Sequence, residues 1–158
     1  MLFRSQQEHI PIIGPVVGEF LYILAKAMNC KAILELGTAT GYSAIYLAQG
    51  ISNPGGILTT IERDEAMAAR ARENISRAGL ADRVEVRVGK VSEVLETLEG
   101  PYDLIFMDIE KEDYQKALSG CHPLLRLGGL LVVDNVAFLG ASEFNQTIFT
   151  DKDRKSVV

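Results

Sequence analysis

The stretch ILELGTATGYSA, Ile33 to Ala44, joins a short apolar run to a turn with glycines at 37 and 41 and then to a helix-forming segment. Strand, glycine turn and helix in that order open a βαβ unit. The same alternation continues along the chain. Apolar runs fall at AILEL (32–36), ILTTIE (57–62), VEVRV (84–88), YDLIFMD (102–108) and LLVVD (130–134). Each is short, rich in branched residues and apolar on both faces, the pattern of parallel strands covered from two sides. Between them lie helical segments. The clearest runs from Asp64 to Ala78, with Asp64 as N-cap, Met67, Ala71 and Ile75 recurring every fourth residue, and Gly79 as the stop. A helix before the first strand presents Val17, Leu21, Leu24 and Met28 on one face. Five strands joined by helical crossovers predict a doubly wound α/β sheet of order 3-2-1-4-5. Ligands of such sheets sit beyond the carboxyl ends of the strands.

The 158 residues are the size of one domain, and 47% hydrophobic with 23% charged is ordinary globular composition. A net charge of −5 argues against a nucleic-acid partner gripped by its phosphates and favours a small ligand. Cys30 and Cys121 show no metal spacing and read as reduced thiols. No apolar run reaches the ~20 residues of a membrane span, and the start MLFRSQQEHIPIIGP lacks the build of a secretory signal. The expectation is a cytoplasmic domain without membrane contact.

ILELGTATGYSA places Glu35, Gly37 and Gly41 at the strand-to-helix turn, with Ala39 where a dinucleotide-binding loop places its middle glycine. That glycine matters less for a cofactor without phosphates. S-adenosylmethionine is one, and its ammonium and sulfonium favour a nearby acid such as Glu35. The competing explanation is a glycine turn serving only strand–helix packing. Glu62 ends the second strand, where an acid can accept hydrogen bonds from both ribose hydroxyls of S-adenosylmethionine or of NAD. Alternatively it is an exposed acid near a helix start that Asp64 already caps. After the third strand, Gly89 lets the backbone near Lys90 and Val91 approach a flat ring such as adenine; a plain turn capped by Ser92 fits almost as well.

The fourth strand ends at Asp108, and the fifth, in GGLLVVDNVAFLG (128–140), at Asp134 and Asn135. Neighbouring strands lie about 4.8 Å apart, so two carboxylates and an amide oxygen come within reach of one another. Mutual repulsion would raise one carboxylate pKa, and a hard divalent cation, Mg²⁺ above all, resolves it with all three oxygens. Singly, each strand-end Asp reads as a cap or turn former. Lys111, three residues beyond Asp108 and ahead of a helix starting near Glu112, becomes a candidate general base beside that metal; otherwise it is a surface lysine paired with Glu110 or Asp113. His9 has no partner in sequence, and His122 reads as structural.

These blocks resemble the cation-dependent S-adenosylmethionine O-methyltransferases, the group of catechol and caffeoyl-CoA O-methyltransferases and their bacterial relatives. PIIGPVVGEFL, ILELGTATGYSA, TIERDEAMAARARENI, DLIFMDIEKEDY and VVDNVAFLG carry the resemblance over nearly the whole chain, the last two most specifically. It implies a Rossmann-like methyltransferase fold. Glu35, Gly37, Tyr42 and Ser43 would line the methionine end of the cofactor, with Asp108 alongside. Glu62 would hold the ribose, and Gly89 with Val91 would flank the adenine. Asp108, Asp134 and Asn135 would bind the cation, and Lys111 would assist deprotonation of the substrate hydroxyl. The reaction implied is methyl transfer to a hydroxyl of a small catechol-like substrate. The alternatives are a cofactor-binding domain without productive catalysis and an NAD-linked oxidoreductase, the latter disfavoured by Ala39.

The chain departs from this pattern in places. The usual Asp-Ala-Asp-Lys reads Asp108-Ile109-Glu110-Lys111, and Phe138 stands where a Trp is common. The single domain, 1–158, divides into an N-terminal segment and helix (1–30), a core (31–140) and a shortened C-terminal segment (141–158). In it the family's final antiparallel strand pair is absent or incomplete. KSVV at the end reads as the start of that missing strand, and a homodimer or swapped tail is expected to shield the edge of the fifth strand.

Overall fold

The computed structural model describes residues 12–136 and 142–150. Its sheet contains β1 (Ala32–Leu36), β2 (Ile57–Glu62), β3 (Val84–Val88), β4 (Tyr102–Met107) and β5 (Leu125–Val133). The strand order is β3-β2-β1-β4-β5, and every neighbouring pair is parallel. Parallel neighbours need crossovers. These are α2 (Tyr42–Gly50), α3 (Glu65–Arg77), α4 (Val91–Leu95) and α5 (Tyr114–Cys121), with α1 (Pro15–Ala27) before the sheet and α6 (Ser142–Thr150) after it. The architecture is the doubly wound sheet expected from the sequence, and β1, β2 and β3 have the expected bounds.

The period-two alternation of each strand distributes the core over two layers. Ile33, Leu58, Leu104 and Phe106 face the layer built with α1, α2 and α3. Leu34, Leu36, Ile105 and Met107 face the layer that holds Leu95 of α4, Tyr114 and Leu118 of α5, and Phe144 of α6. All eight strand residues are fully buried. Burying each such side chain stabilises the fold by about 1.5–3 kcal/mol before entropy is counted. Cys30 and Cys121 are free thiols, buried in separate layers.

Pro15 sits in the first turn of α1, where its missing N–H is harmless. The helix turns Leu21 into the core, with Val17, Leu24 and Met28 packed beside it. Gly50 lets α1 and α2 close on one another: a Cβ there would stand 2.6 Å from Ala25 Cβ and 2.8 Å from the Tyr22 carbonyl oxygen. Asp64 caps α3 as expected, its Oδ1 accepting from the Met67 N–H at 2.8 Å.

Several local expectations need correction. β5 begins at Leu125, not Leu130: the paired glycines read as a break, but the strand passes through them with a register shift, helped by Gly128 at φ +73°. α4 is capped at Lys90, so Ser92 lies inside the helix. The segment after Glu110 is first a 3-10 turn, Lys111–Asp113, and becomes α-helical at Tyr114. Among the described residues, β3 and β5 are the outermost strands and are partly exposed, not closed on both faces, and Leu127 is 99% exposed. Among the described residues, no helix is long and apolar enough to cross a membrane. His9, Phe138 and the KSVV strand fall outside the described residues.

Candidate active site

The carboxyl ends of β1, β2 and β4 open onto a cavity of about 880 Å³, lined by Gly37, Ala39, Glu62, Arg63, Val91, Asp108 and Lys111 among others. It lies where a doubly wound sheet places its ligand. The glycine turn forms its floor. Gly37 holds φ +96°, and an added Cβ would collide with the Asp108 carbonyl oxygen. The loop after β1 can therefore lie against the loop after β4 only without a side chain at 37. Ala39 also has positive φ, +45°, an uncommon conformation for alanine. Its N–H donates to Glu62 Oε2 at 2.8 Å, while Glu62 Oε1 accepts from the Asp64 N–H at 2.9 Å. Two backbone donors thus fix the Glu62 carboxylate at the rim, and each oxygen keeps a lone pair for a further donor. Glu62 faces the cavity and also braces the approach to α3, so both explanations of this acid describe part of its surroundings.

Glu35 sits near the end of the first strand, as the expected bounds 32–36 imply. It lies within β1 and is fully buried, on the face packed by α1–α3. Its Oε2 accepts from Thr60 Oγ1 at 2.6 Å, and its Oε1 has no hydrogen-bond partner. Burial foremost, with Asp108 and Glu62 adding negative charge, pushes its pKa to about 7; the nearby Ser43 and Thr60 hydroxyls work against the rise. Tyr42 and Ser43 open α2, Ser43 buried, and Gly89 ends β3 with its N–H on the Glu62 carbonyl oxygen at 2.9 Å. Of the residues expected at the site, Gly37, Glu62, Val91, Asp108 and Lys111 line the cavity, and Glu35, Tyr42, Ser43, Gly89, Asp134 and Asn135 do not.

Asp108, Asp134 and Asn135 come together beyond the ends of β4 and β5. The Asp108 N–H donates to the Leu36 carbonyl oxygen at 2.9 Å, and the Asp134 N–H to the Met107 carbonyl oxygen at 3.0 Å. Both acids thereby continue the sheet's ladder by one residue. Asn135 then takes φ +58°, its N–H donating to Asp134 Oδ1 at 2.8 Å. Asparagine tolerates this left-handed conformation better than most residues. Burial and the charge of Asp134 push the Asp108 carboxyl up to about 6, and a hydrogen bond with the Asn135 side chain holds it down. Tyr114 braces the group from below: it is buried, donates to the Asp134 carbonyl oxygen at 2.9 Å, and packs edge-on to Phe144. Among the described residues, no three His, Cys, Asp or Glu side chains form a metal-holding group. This trio reaches three oxygen donors only by counting the amide. Its all-oxygen chemistry and excess negative charge fit a hard divalent cation.

Some features of the rim were not anticipated. Arg63 Nη2 and Glu110 Oε1 form an ion pair at 2.7 Å, linking the loops after β2 and β4. Thr38, Thr60 and Tyr114 also escaped notice, although two consecutive threonines in ILTTIE, inside an otherwise apolar strand, are a readable signal.

A doubly wound parallel sheet with a glycine turn after β1 and an acid ending β2 is a Rossmann-like α/β arrangement. The chain belongs to the O-methyltransferase family, whose model matches residues 5–156. It is 45% identical over 120 residues to a catechol O-methyltransferase of Mycobacterium tuberculosis, covering 75% of this chain and 54% of that protein. A catechol O-methyltransferase of Niastella koreensis is 41% identical over 128 residues, covering 78% and 58%. The crystal structure of an O-methyltransferase from Bacillus cereus in complex with SAH superposes with a TM-score of 0.86 at 33% identity, over 94% of this chain and 76% of that one. The chain thus spans little more than half the length of these curated relatives.

Proposed function

We propose that this chain binds S-adenosylmethionine and a divalent cation and transfers the methyl group to a hydroxyl of a small catechol-like compound. The observation that carries this reading is the meeting of Asp108, Asp134 and Asn135 at adjacent strand ends, beside a cavity floored by Gly37 and rimmed by Glu62. The likeness to proteins named catechol O-methyltransferase and to a structure holding SAH supports the cofactor and the substrate class.

Glu62 would accept the ribose hydroxyls through its remaining lone pairs, Val91 with Gly89 behind it would flank the adenine, and Gly37, Tyr42 and Ser43 would shape the methionine end over Glu35. Asp108, Asp134 and Asn135 would hold Mg²⁺. When bound, the cofactor supplies an electrophilic methyl group and the cation lowers the pKa of a coordinated hydroxyl. Lys111 Nζ, in the turn beside Asp108, would take the proton from that hydroxyl. The loops after β1 and β4, locked together at Gly37, would fix the angle of approach, and such orientation supplies a large part of the rate. A small-molecule substrate, a cytoplasmic setting and a homodimer formed through β5 complete the proposal.

The test is methyl transfer from S-adenosylmethionine to a panel of catechols and monophenols, with calorimetric titration of S-adenosylmethionine and NAD alongside. Methylation of catechols with no binding of NAD is the predicted outcome. S-adenosylmethionine binding without turnover on any member would reduce the chain to a cofactor-binding unit.

A further inference from the structure

Ala39 stands where a dinucleotide-binding loop has glycine, and its φ of +45° is strained for a residue that carries a Cβ. Thr38 to Gly41 form a β-turn, closed by the Gly41 N–H on the Thr38 carbonyl oxygen at 2.8 Å. A positive φ at the first central position of such a turn is normally left to Gly, Asn or Asp. Strain of this kind persists only where the surroundings hold the backbone in place.

One hold is the Ala39 N–H itself, on Glu62 Oε2 at 2.8 Å. The other comes from α3, where Asn74 Nδ2 donates to the Thr40 carbonyl oxygen at 2.9 Å. That carbonyl and the Gly41 N–H belong to one peptide group, so Asn74 and Thr38 grip the same plane from opposite sides. Three residues earlier on α3, Ala71 meets Gly41: a Cβ on Gly41 would lie 3.3 Å from the Ala71 Cα and Cβ. The helix thus touches the turn at two neighbouring points of one face, by packing at Ala71 and by a directed hydrogen bond at Asn74. The Thr40 hydroxyl adds nothing to the grip: the residue is buried, and its Oγ1 has no partner among the described residues. Asn74 is half-buried and does not line the cavity.

We infer that Asn74 is a positioning residue for ribose recognition: it holds the Thr40–Gly41 peptide so that Ala39 keeps its N–H on Glu62 and the carboxylate keeps its orientation at the cavity. The inference rests on the proposed role of Glu62 toward the ribose. Without the Asn74 amide, the Thr40–Gly41 peptide can rotate and Ala39 relaxes to negative φ. Glu62 then loses one of its two backbone donors. The other, the Asp64 N–H on Oε1 at 2.9 Å, leaves the carboxylate free to swing about a single contact.

The experiment is calorimetric titration of the full chain with S-adenosylhomocysteine and with its 2′,3′-dideoxy analogue. The wild type should prefer the ribose form by at least about tenfold, since hydrogen bonds to a charged acceptor vanish with the hydroxyls. Asn74→Leu, close in size but without a donor, should bind S-adenosylhomocysteine about tenfold more weakly, and the dideoxy analogue within about twofold of the wild type. Adding Ala39→Gly to Asn74→Leu should recover most of the loss, because glycine keeps a positive φ without strain. Equal weakening toward both ligands, as a merely structural residue would give, overturns the inference. So does a ribose preference that survives Asn74→Leu intact. Should Asn74→Leu fail to fold, Asn74→Asp, equal in size and lacking the donor, decides on the same comparison. Equal binding of both ligands by the wild type would contradict the ribose role of Glu62, and the inference with it. No binding of S-adenosylhomocysteine by the wild type would contradict the proposed function itself, a result distinct from a lost preference.

Discussion

At the scale of single residues, Glu35 shows how a buried acid makes stability depend on pH. Its folded pKa of about 7 stands above the ordinary 4.5. Between those values the folded state binds more protons than the unfolded, so stability from this group is complete below pH 4.5 and is lost as pH rises through 7. The full swing is roughly 3 kcal/mol at most. Glu35→Gln should flatten that part of the stability profile, measured as urea midpoints across the range; an unchanged slope would contradict the burial argument. Gly37→Ala is the sharper structural probe. The new Cβ must displace the Asp108 backbone, so cofactor affinity should fall at least tenfold, equivalent to about 1.4 kcal/mol, as read by titration calorimetry. Asp108, Asp134 and Asn135 were legible in sequence because each polar residue ends an apolar run, which exposes it to notice. Glu35 was singled out as well, but its complete burial was not legible, since a polar residue inside a strand does not reveal whether its face is open or closed.

Elements set the reach of the site, and one staple ties their amino ends. Asp103 Oδ2 accepts from the N–H groups of Lys31 and Ala32, at 2.7 and 3.0 Å, while its Oδ1 accepts from Arg126 Nε at 2.6 Å. The start of β1, the start of β4 and β5 are thereby joined through one side chain. Burial alone would raise the Asp103 pKa, but the two backbone donors and Arg126 outweigh it and hold the carboxyl below its ordinary range. Its contribution is present above the ordinary carboxylate pKa and is lost as pH falls through the depressed value. Asp103→Ala should cost about 2 kcal/mol by chemical denaturation at neutral pH, with a smaller deficit in acid. At this scale the sequence reading succeeded where periodicity was unbroken, as in β1 to β3 and α3. It failed at β5, because two glycines look like punctuation whether the chain turns there or bulges and continues. Arg63–Glu110 was invisible for another reason: the partners are 47 residues apart, and topology alone brings them together. Both are well exposed, at 64% and 59%, so the pair is a rim contact of little stabilising value.

For the whole molecule, the order β3-β2-β1-β4-β5 accounts for the site: it puts the glycine turn between the acid of β2 and the acids of β4 and β5. Five short strands with crossovers pointed to a doubly wound sheet, and the order 3-2-1-4-5 expected of that class is the one found. What covers β5 lies outside that logic. Its half-exposed residues and Leu127 are the surface on which the proposed homodimer would form, and sedimentation analysis should show association; a monomer at all concentrations would contradict it. The central claim is that three oxygens at adjacent strand ends hold a cation on which catalysis depends. It is tested most directly by methyl transfer from S-adenosylmethionine to catechol, comparing the wild type with the Asp134→Ala, Asn135→Ala double variant during Mg²⁺ titration after chelation. The account predicts wild-type activity that disappears with chelator and returns with Mg²⁺, and a double variant at least a hundredfold weaker, about 2.7 kcal/mol in the barrier. Activity undiminished by chelator or by the double substitution would contradict it.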